Sequence, residues 1–175
     1  MNISSSKGFS FVETIIALGV LTTGVMGAAA VLVSGMQNLS SSPGDVIVTQ
    51  KAAQAVETVF SARDSHKLTW TQIKNVSSGG IFLDGAQPMK LAGNDGLVNT
   101  ADDTTVETIT FPGKDQVLGT PDDMVTSLTG YTRQIAITDV PSEGGQLRSI
   151  VVTIQYRNGP TLRTYRLTTF ISTYS

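Results

Sequence analysis

The chain has 175 residues, with 12 Lys and Arg against 14 Asp and Glu, one His and no Cys. That length is about one domain on the usual scale of roughly 100 to 200 residues, so a small domain plus one anchor fits. The basic residues are scattered rather than gathered on a stripe, which sets nucleic acid aside as a partner. Without cysteine there is no disulfide, no thiolate nucleophile and no Cys-type zinc or iron-sulfur site, and the redox compartment stays open.

No residue from Thr14 to Gly44 is charged, and Thr14 to Val33 alone supplies the roughly 20 residues that a helix needs to cross about 30 Å of hydrocarbon. Gly19, Gly24 and Gly27 would each cost about 1 kcal/mol in a water-exposed helix. In lipid, small residues spaced by four, Gly19 with Thr23 and Gly24 with Ala28, let helix backbones approach. Lys7 and the chain amine precede the span, so the positive-inside tendency puts the N-terminus in the cytoplasm and everything after Gly44 outside. A secretory signal peptide is the competing reading, because "MGAAAV" has a small-x-small site at Ala28 and Ala30 that would leave Val31 as a new start. The stretch from Phe9 to Gly27 is long for a signal core of about 7 to 15 residues, and Glu13 has no purpose inside one.

The motif "KGFSFVETIIALGVL" resembles the N-terminus of type IV pilins and type II secretion pseudopilins. The resemblance implies a short leader, 1–8, ending in Gly8; cleavage after that glycine by a prepilin peptidase; N-methylation of the new first residue, Phe9; and an assembly role for Glu13. A carboxylate buried in a span costs a few kcal/mol unless it is paired. Processing would create an ammonium at Phe9, four residues from Glu13, and a neighbouring subunit would present another. Further along, "ALGVLTTGVMGAAAVLVSGMQ" looks most like PilV-type minor pilins and the corresponding minor pseudopilins. The implied partners are other pilin or pseudopilin subunits, the peptidase and the inner membrane.

After the span, "NLSSSPGD" contains Pro43, which lacks an amide donor and biases Ser42 away from helical geometry, so a kink or linker is expected over 40–45. Val48, Ala52, Ala55, Val56 and Val59 then recur at helical spacing, predicting an amphipathic helix over 46–63 with Asp45 as its N-cap. From about Gly79 onward the chain reads as strands. Ile81 to Leu83 and Thr105 to Phe111 are short candidates within a loop-rich region, 79–130. Over 131–173, Ile135 and Ile137 alternate with polar neighbours; Ile150, Val152, Ile154 and Tyr156 share one face; so do Tyr165, Leu167, Thr169 and Ile171. With "PSEGGQ" and "RNGP" as turns, this predicts a three-stranded antiparallel meander whose apolar face the 46–63 helix covers. The expected fold class is therefore α+β and pilin-like. Its parts are a transmembrane and assembly helix over 9–39, continued by an amphipathic half, and a globular head over 46–175 built on an antiparallel sheet.

An internal repeat lies in the loop-rich region: "GNDGLVNTADD" from Gly93 and "GKDQVLGTPDD" from Gly113, twenty residues apart. Asp95, Asp102 and Asp103 form one group and Asp115, Asp122 and Asp123 the other. Such loops suit a hard cation like calcium, which takes six to eight oxygen ligands, although the spacing is not that of an EF-hand. Asp and Gly also build turns for purely local reasons, and both readings stand. No nucleophile motif accompanies the lone His66, which reads as an exposed histidine with Trp70 as a packing aromatic, and no catalytic residues are expected. The leading functional reading is a structural filament subunit, not an enzyme. The alternative is a secreted or single-span anchored calcium-dependent binding domain that does not polymerise.

Overall fold

The computed structural model describes residues 10–174, and their side chains except those of 37–43 and 142. Two compact units are distinguished, Met1–Pro43 and Gly44–Ser175. One helix, α1, is assigned over Phe11–Asp64, 54 residues, and contributes to both. Helix is assigned through 40–45, Pro43 included, so no non-helical linker separates two helices there. A proline withholds only its own N–H and crowds one carbonyl four residues back, a local penalty of about 3 kcal/mol that long flanking helical stretches can absorb. Asp45 therefore lies inside α1, not at a cap, because no helix begins there.

In the first unit every described side chain from Ser10 to Met36 is exposed. Over Phe11–Met36, 26 residues, the helix is long and apolar enough to cross a membrane. Its hydroxyls do not break that character. Thr22 donates to the Gly19 carbonyl at 2.9 Å, and Thr23 to Gly19 and Val20 at 3.0 and 2.9 Å, so each is satisfied within its own helix.

In the second unit the α1 side chains Ile47, Val48, Ala52, Ala55, Val59 and Ala62 are buried, recurring every three or four residues from Val48 onward as one stripe. Together with Ile135, Ile137, Ile150, Val152, Ile154, Tyr156 and Ile171 they form a single hydrophobic core. The helix stops where His66 takes φ 57°, which lets both Lys67 and Leu68 donate back to the Ala62 carbonyl. Past that turn the Trp70 indole N–H donates to the Gly145 carbonyl at 2.9 Å, and the Arg148 guanidinium lies 4.0 Å from the Trp70 ring centroid.

The strands are β1 (Gln87–Pro88), β2 (Thr108–Phe111), β3 (Met124–Ser127), β4 (Thr132–Asp139), β5 (Leu147–Asn158) and β6 (Thr161–Ser172). The meander is present as β4, β5 and β6, with the two-residue β1 added beyond β4, so the antiparallel sheet has four strands in the order β1-β4-β5-β6. The segment 81–83 is not a strand; Phe82 instead makes one isolated bridge to Asn75. Asn75 is held by the sheet itself, donating to the Ile135 carbonyl at 2.7 Å and accepting the Ile137 N–H at 2.7 Å. The 105–111 candidate is paired over Thr108–Phe111 only, with β3, in a separate two-stranded sheet. This hairpin joins the head beside β1, where Glu107 donates its N–H to Met89 and accepts that of Leu128 on its carbonyl.

Candidate functional site

Gly8 and Phe9 lie outside the described residues. Glu13 sits in the first turn of α1 and is exposed, where a carboxylate also suits the positive end of the helix dipole.

The two aspartate loops are alike in three dimensions. In the first, Asp103 accepts the Gly93 N–H at 3.1 Å and those of Asn99 and Thr100 at 2.7 and 3.4 Å. Asp102 accepts the Asp95 N–H at 3.2 Å and the Thr100 hydroxyl at 2.7 Å, while Asp95 accepts the Leu97 N–H at 2.7 Å. Twenty residues on, Asp123 accepts from Gly119 and Thr120 at 2.6 and 3.3 Å. Asp122 takes the Lys114 N–H at 2.7 Å and the Thr120 hydroxyl at 2.7 Å, and Asp115 the Val117 N–H at 2.9 Å. The left-handed residues correspond too: Gly96 and Gln116 at φ 75° and 58°, Asn99 and Gly119 at 63° and 91°. The glycine opening each repeat has a steric reason. A Cβ on Gly93 or Gly113 would come within 2.3 Å of the Asp102 or Asp122 carboxyl group.

Each carboxylate thus caps backbone N–H groups of its own loop, as Asx-turns do. Thr100 and backbone donors hold Asp102 below the ordinary value of 3.8, and Thr120 does the same for Asp122. Asp103 is pushed up by burial, against the N–H groups of Asn99, Gly93 and Thr100. Among the described residues no group of three or more His, Asp or Glu is arranged to hold a metal ion. Most of these carboxylate oxygens accept N–H or hydroxyl donors of their own loops, while Asp123 Oδ1 is buried without a hydrogen-bond partner among the described residues.

The surroundings differ. The first loop is docked: Leu97, Asn99 and Thr100 are 2 to 3 % exposed and Asp103 is 7 %. Asn99 donates to the Arg133 carbonyl at 2.8 Å and accepts from Arg133 Nε at 2.7 Å. Arg133, 2 % exposed, also donates to the Lys90 carbonyl at 3.1 Å and lies 3.7 Å from Glu107 Oε2, while Lys51 of α1 pairs with Glu107 Oε1. Burial lowers the Arg133 pKa, and Glu107 and Asp103 oppose that. In the second loop, by contrast, Val117 and Leu118 are 56 and 62 % exposed.

No family model, curated protein or solved structure matches the chain. Its functional reading rests on its own residues.

Sequence reasoning missed a second cluster, at the start of the head. The Tyr156 hydroxyl donates to the Asp45 carboxylate, and its ring stacks on Tyr131 with centroids 5.2 Å apart and planes 4° from parallel. Burial and that partner push the Tyr156 hydroxyl up to about 12. Gly44, read from sequence as a breaker, is the socket: a Cβ there would stand 2.7 Å from the Tyr156 ring. Arg133 and Arg148 were also missed, though alternation along β4 and β5 puts them on the faces of Ile135 and Ile150. Arg148 is held by Asp139 at 2.6 Å and the Ile73 carbonyl at 3.0 Å.

Proposed function

We propose that the chain is a structural subunit, of the minor pilin or minor pseudopilin kind, of a type IV pilus or type II secretion pseudopilus. It is made as a single-span inner-membrane precursor, with its N-terminus cytoplasmic and its head outside, and is processed after Gly8 by a prepilin peptidase. The observation that carries this reading is Glu13. It is a lone carboxylate in the first turn of a 26-residue apolar helix whose described side chains are all exposed, in the setting "KGFSFVETIIALGVL". Such a stripe in water would be unstable, and such a charge in lipid requires a cation. The ammonium produced at Phe9 by cleavage, in the same or a neighbouring subunit, provides one.

Mass spectrometry of the mature protein tests the reading: a chain starting at methylated Phe9 is expected. A start at Val31 would instead mark a secreted domain, and an uncleaved Met1 an anchored domain that does not polymerise. Glu13→Ala is expected to insert and be cleaved normally but to enter filaments poorly, since removing a charge does not harm insertion.

A further inference from the structure

We propose that the β2–β3 hairpin of one copy docks on the β6 edge of a second copy, so that heads associate head to tail. Both surfaces are open. The hairpin exposes an apolar group, Val117, Leu118, Met124 and Val125, at 56, 62, 63 and 65 %. The first loop shows what the same motif does when covered, since the residue matching Val117 is Leu97, 2 % exposed. Strand β6 is twelve residues long and pairs only with β5 among the described residues. Its outer edge is therefore a row of open backbone donors and acceptors, flanked by Leu162 and Phe170 at 55 and 56 %.

The charges are complementary. Thr108–Ser127 contains Asp115, Asp122 and Asp123 against Lys114 alone, a net charge of 1 − 3 = −2. The segment 157–172 contains Arg157, Arg163 and Arg166 and no acidic residue. All three arginines are exposed, and none of their guanidinium groups makes a hydrogen bond or ion pair among the described residues. Facing surfaces of opposite sign steer association and set its register.

Topology decides the mode. The hairpin joins the head beside β1, and β6 is at the far edge of the order β1-β4-β5-β6. The hairpin, in its own two-stranded sheet, thus lies at the β1 end of the strand order and the open edge at the β6 end, so a two-fold pair that seats one hairpin on one edge leaves the other hairpin and edge apart. Pairing hairpin to edge is heterologous, and repeated along many copies it builds an open row. A small contact of this kind is weak between free molecules and becomes effective where helices hold copies side by side, through high effective concentration. In that sense the inference deepens the filament reading.

The absence of cysteine allows a direct test on the full-length chain, in detergent micelles and in filaments. Leu118→Cys and Thr164→Cys variants, both at exposed positions, are mixed and treated with a short bismaleimide. A heterodimer is expected in clear excess over either variant alone and over Leu118→Cys mixed with Glu57→Cys, on the exposed side of α1. Adding Arg166→Glu to the Thr164→Cys partner is expected to lower the yield about tenfold, with thermal melting unchanged as the check on folding. Equal yields for all pairs, or dominant Leu118→Cys homodimers, would overturn the proposal, as would indifference to Arg166→Glu. The mature mass is read on the same samples. Processing after Gly8 without the cross-link sinks the contact alone, and the cross-link on an unprocessed chain sinks the filament reading alone.

Discussion

The two aspartate loops have the same turn and opposite surroundings. Both close on carboxylates that cap their own backbone, both require a glycine at the first position, and both place left-handed residues at matching points. Among the described residues only the first docks on a distant side chain, the guanidinium of Arg133, whose carbonyl it also meets, through Asn99. The second has Gly119 at that position, a residue with the same backbone freedom but no side chain to dock. One side chain thus separates a loop that belongs to the core from one left on the surface. The lesson is that a hydrogen-bonding template can be copied without copying its energetic role.

The largest expected difference between the loops is apolar. Leu97→Ala should destabilise the fold by about 2 to 5 kcal/mol, the range for truncating a buried leucine. Its counterpart Val117→Ala should stay within about 0.5 kcal/mol, as exposed substitutions do. Denaturant melts of the full chain in detergent, followed by tryptophan fluorescence, measure both. Similar losses would mean that the second loop is also covered in the isolated molecule.

The carboxylates should differ less. Asp103→Ala leaves buried N–H groups without an acceptor and should cost about 1 to 3 kcal/mol. Asp123→Ala exposes its N–H groups to water, which replaces the lost acceptor, and should cost under about 1 kcal/mol by the same melts. If Asp123→Ala proves the costlier, burial is not what distinguishes the two positions.

Titration gives a finer comparison. Carboxyl carbon shifts followed by NMR should place Asp102 and Asp122 below 3.8 and Asp103 above it. For Asp102 and Asp122 the folded-state value is lowered, so their stabilisation is present above the unfolded value and lost as pH falls through the folded one. For Asp103 the value is raised, so the protonated form favours the fold, and that contribution disappears as pH rises through the folded value. Acid should therefore weaken the second loop steadily while in the first loop the two neighbours oppose each other. An Asp103 that titrates below 3.8 would show that its N–H partners outweigh burial.

Calcium should have the smallest effect. Because the carboxylates are engaged by N–H groups, excess calcium against chelator should leave the full-chain melting temperature unchanged within about a degree. A site binding at roughly 10⁻⁴ to 10⁻³ M would instead stabilise by about 0.4 to 1.4 kcal/mol at millimolar calcium, a shift of a few degrees. A rise abolished by Asp102→Asn and Asp122→Asn would show that a cation displaces the turn bonds.

Much of this architecture was legible from spacing. The Val48, Ala52, Ala55 and Val59 stripe faces the core as its period requires, and β4, β5 and β6 follow the alternation read for them, in β6 that of Tyr165, Leu167, Thr169 and Ile171. The same alternation also puts Arg133 and Arg148 on the core face, a step not taken from sequence because period says nothing of which partners make a buried guanidinium tolerable. Strand β3 went unread because "MVTS" is four exposed residues, without an apolar face to give it a period. Pro43, Gly44 and Asp45 read as a helix boundary from local preference alone.

By itself, then, the sequence determined whatever depends on neighbours a few residues away. That includes the apolar run with its single carboxylate, the helical and strand periods, and the aspartate turns, whose donors and acceptors all lie within eleven residues, as in 93–103. Tertiary structure decided the rest, because those choices join groups far apart in the chain. Tyr156 converts Gly44 and Asp45 from a presumed boundary into a socket and an acceptor, 111 positions away. Arg133 draws one copy of the repeated loop inside, 34 positions away. A buried charge or a stacked ring is stable only where several such distant groups converge, and only the folded chain brings them together.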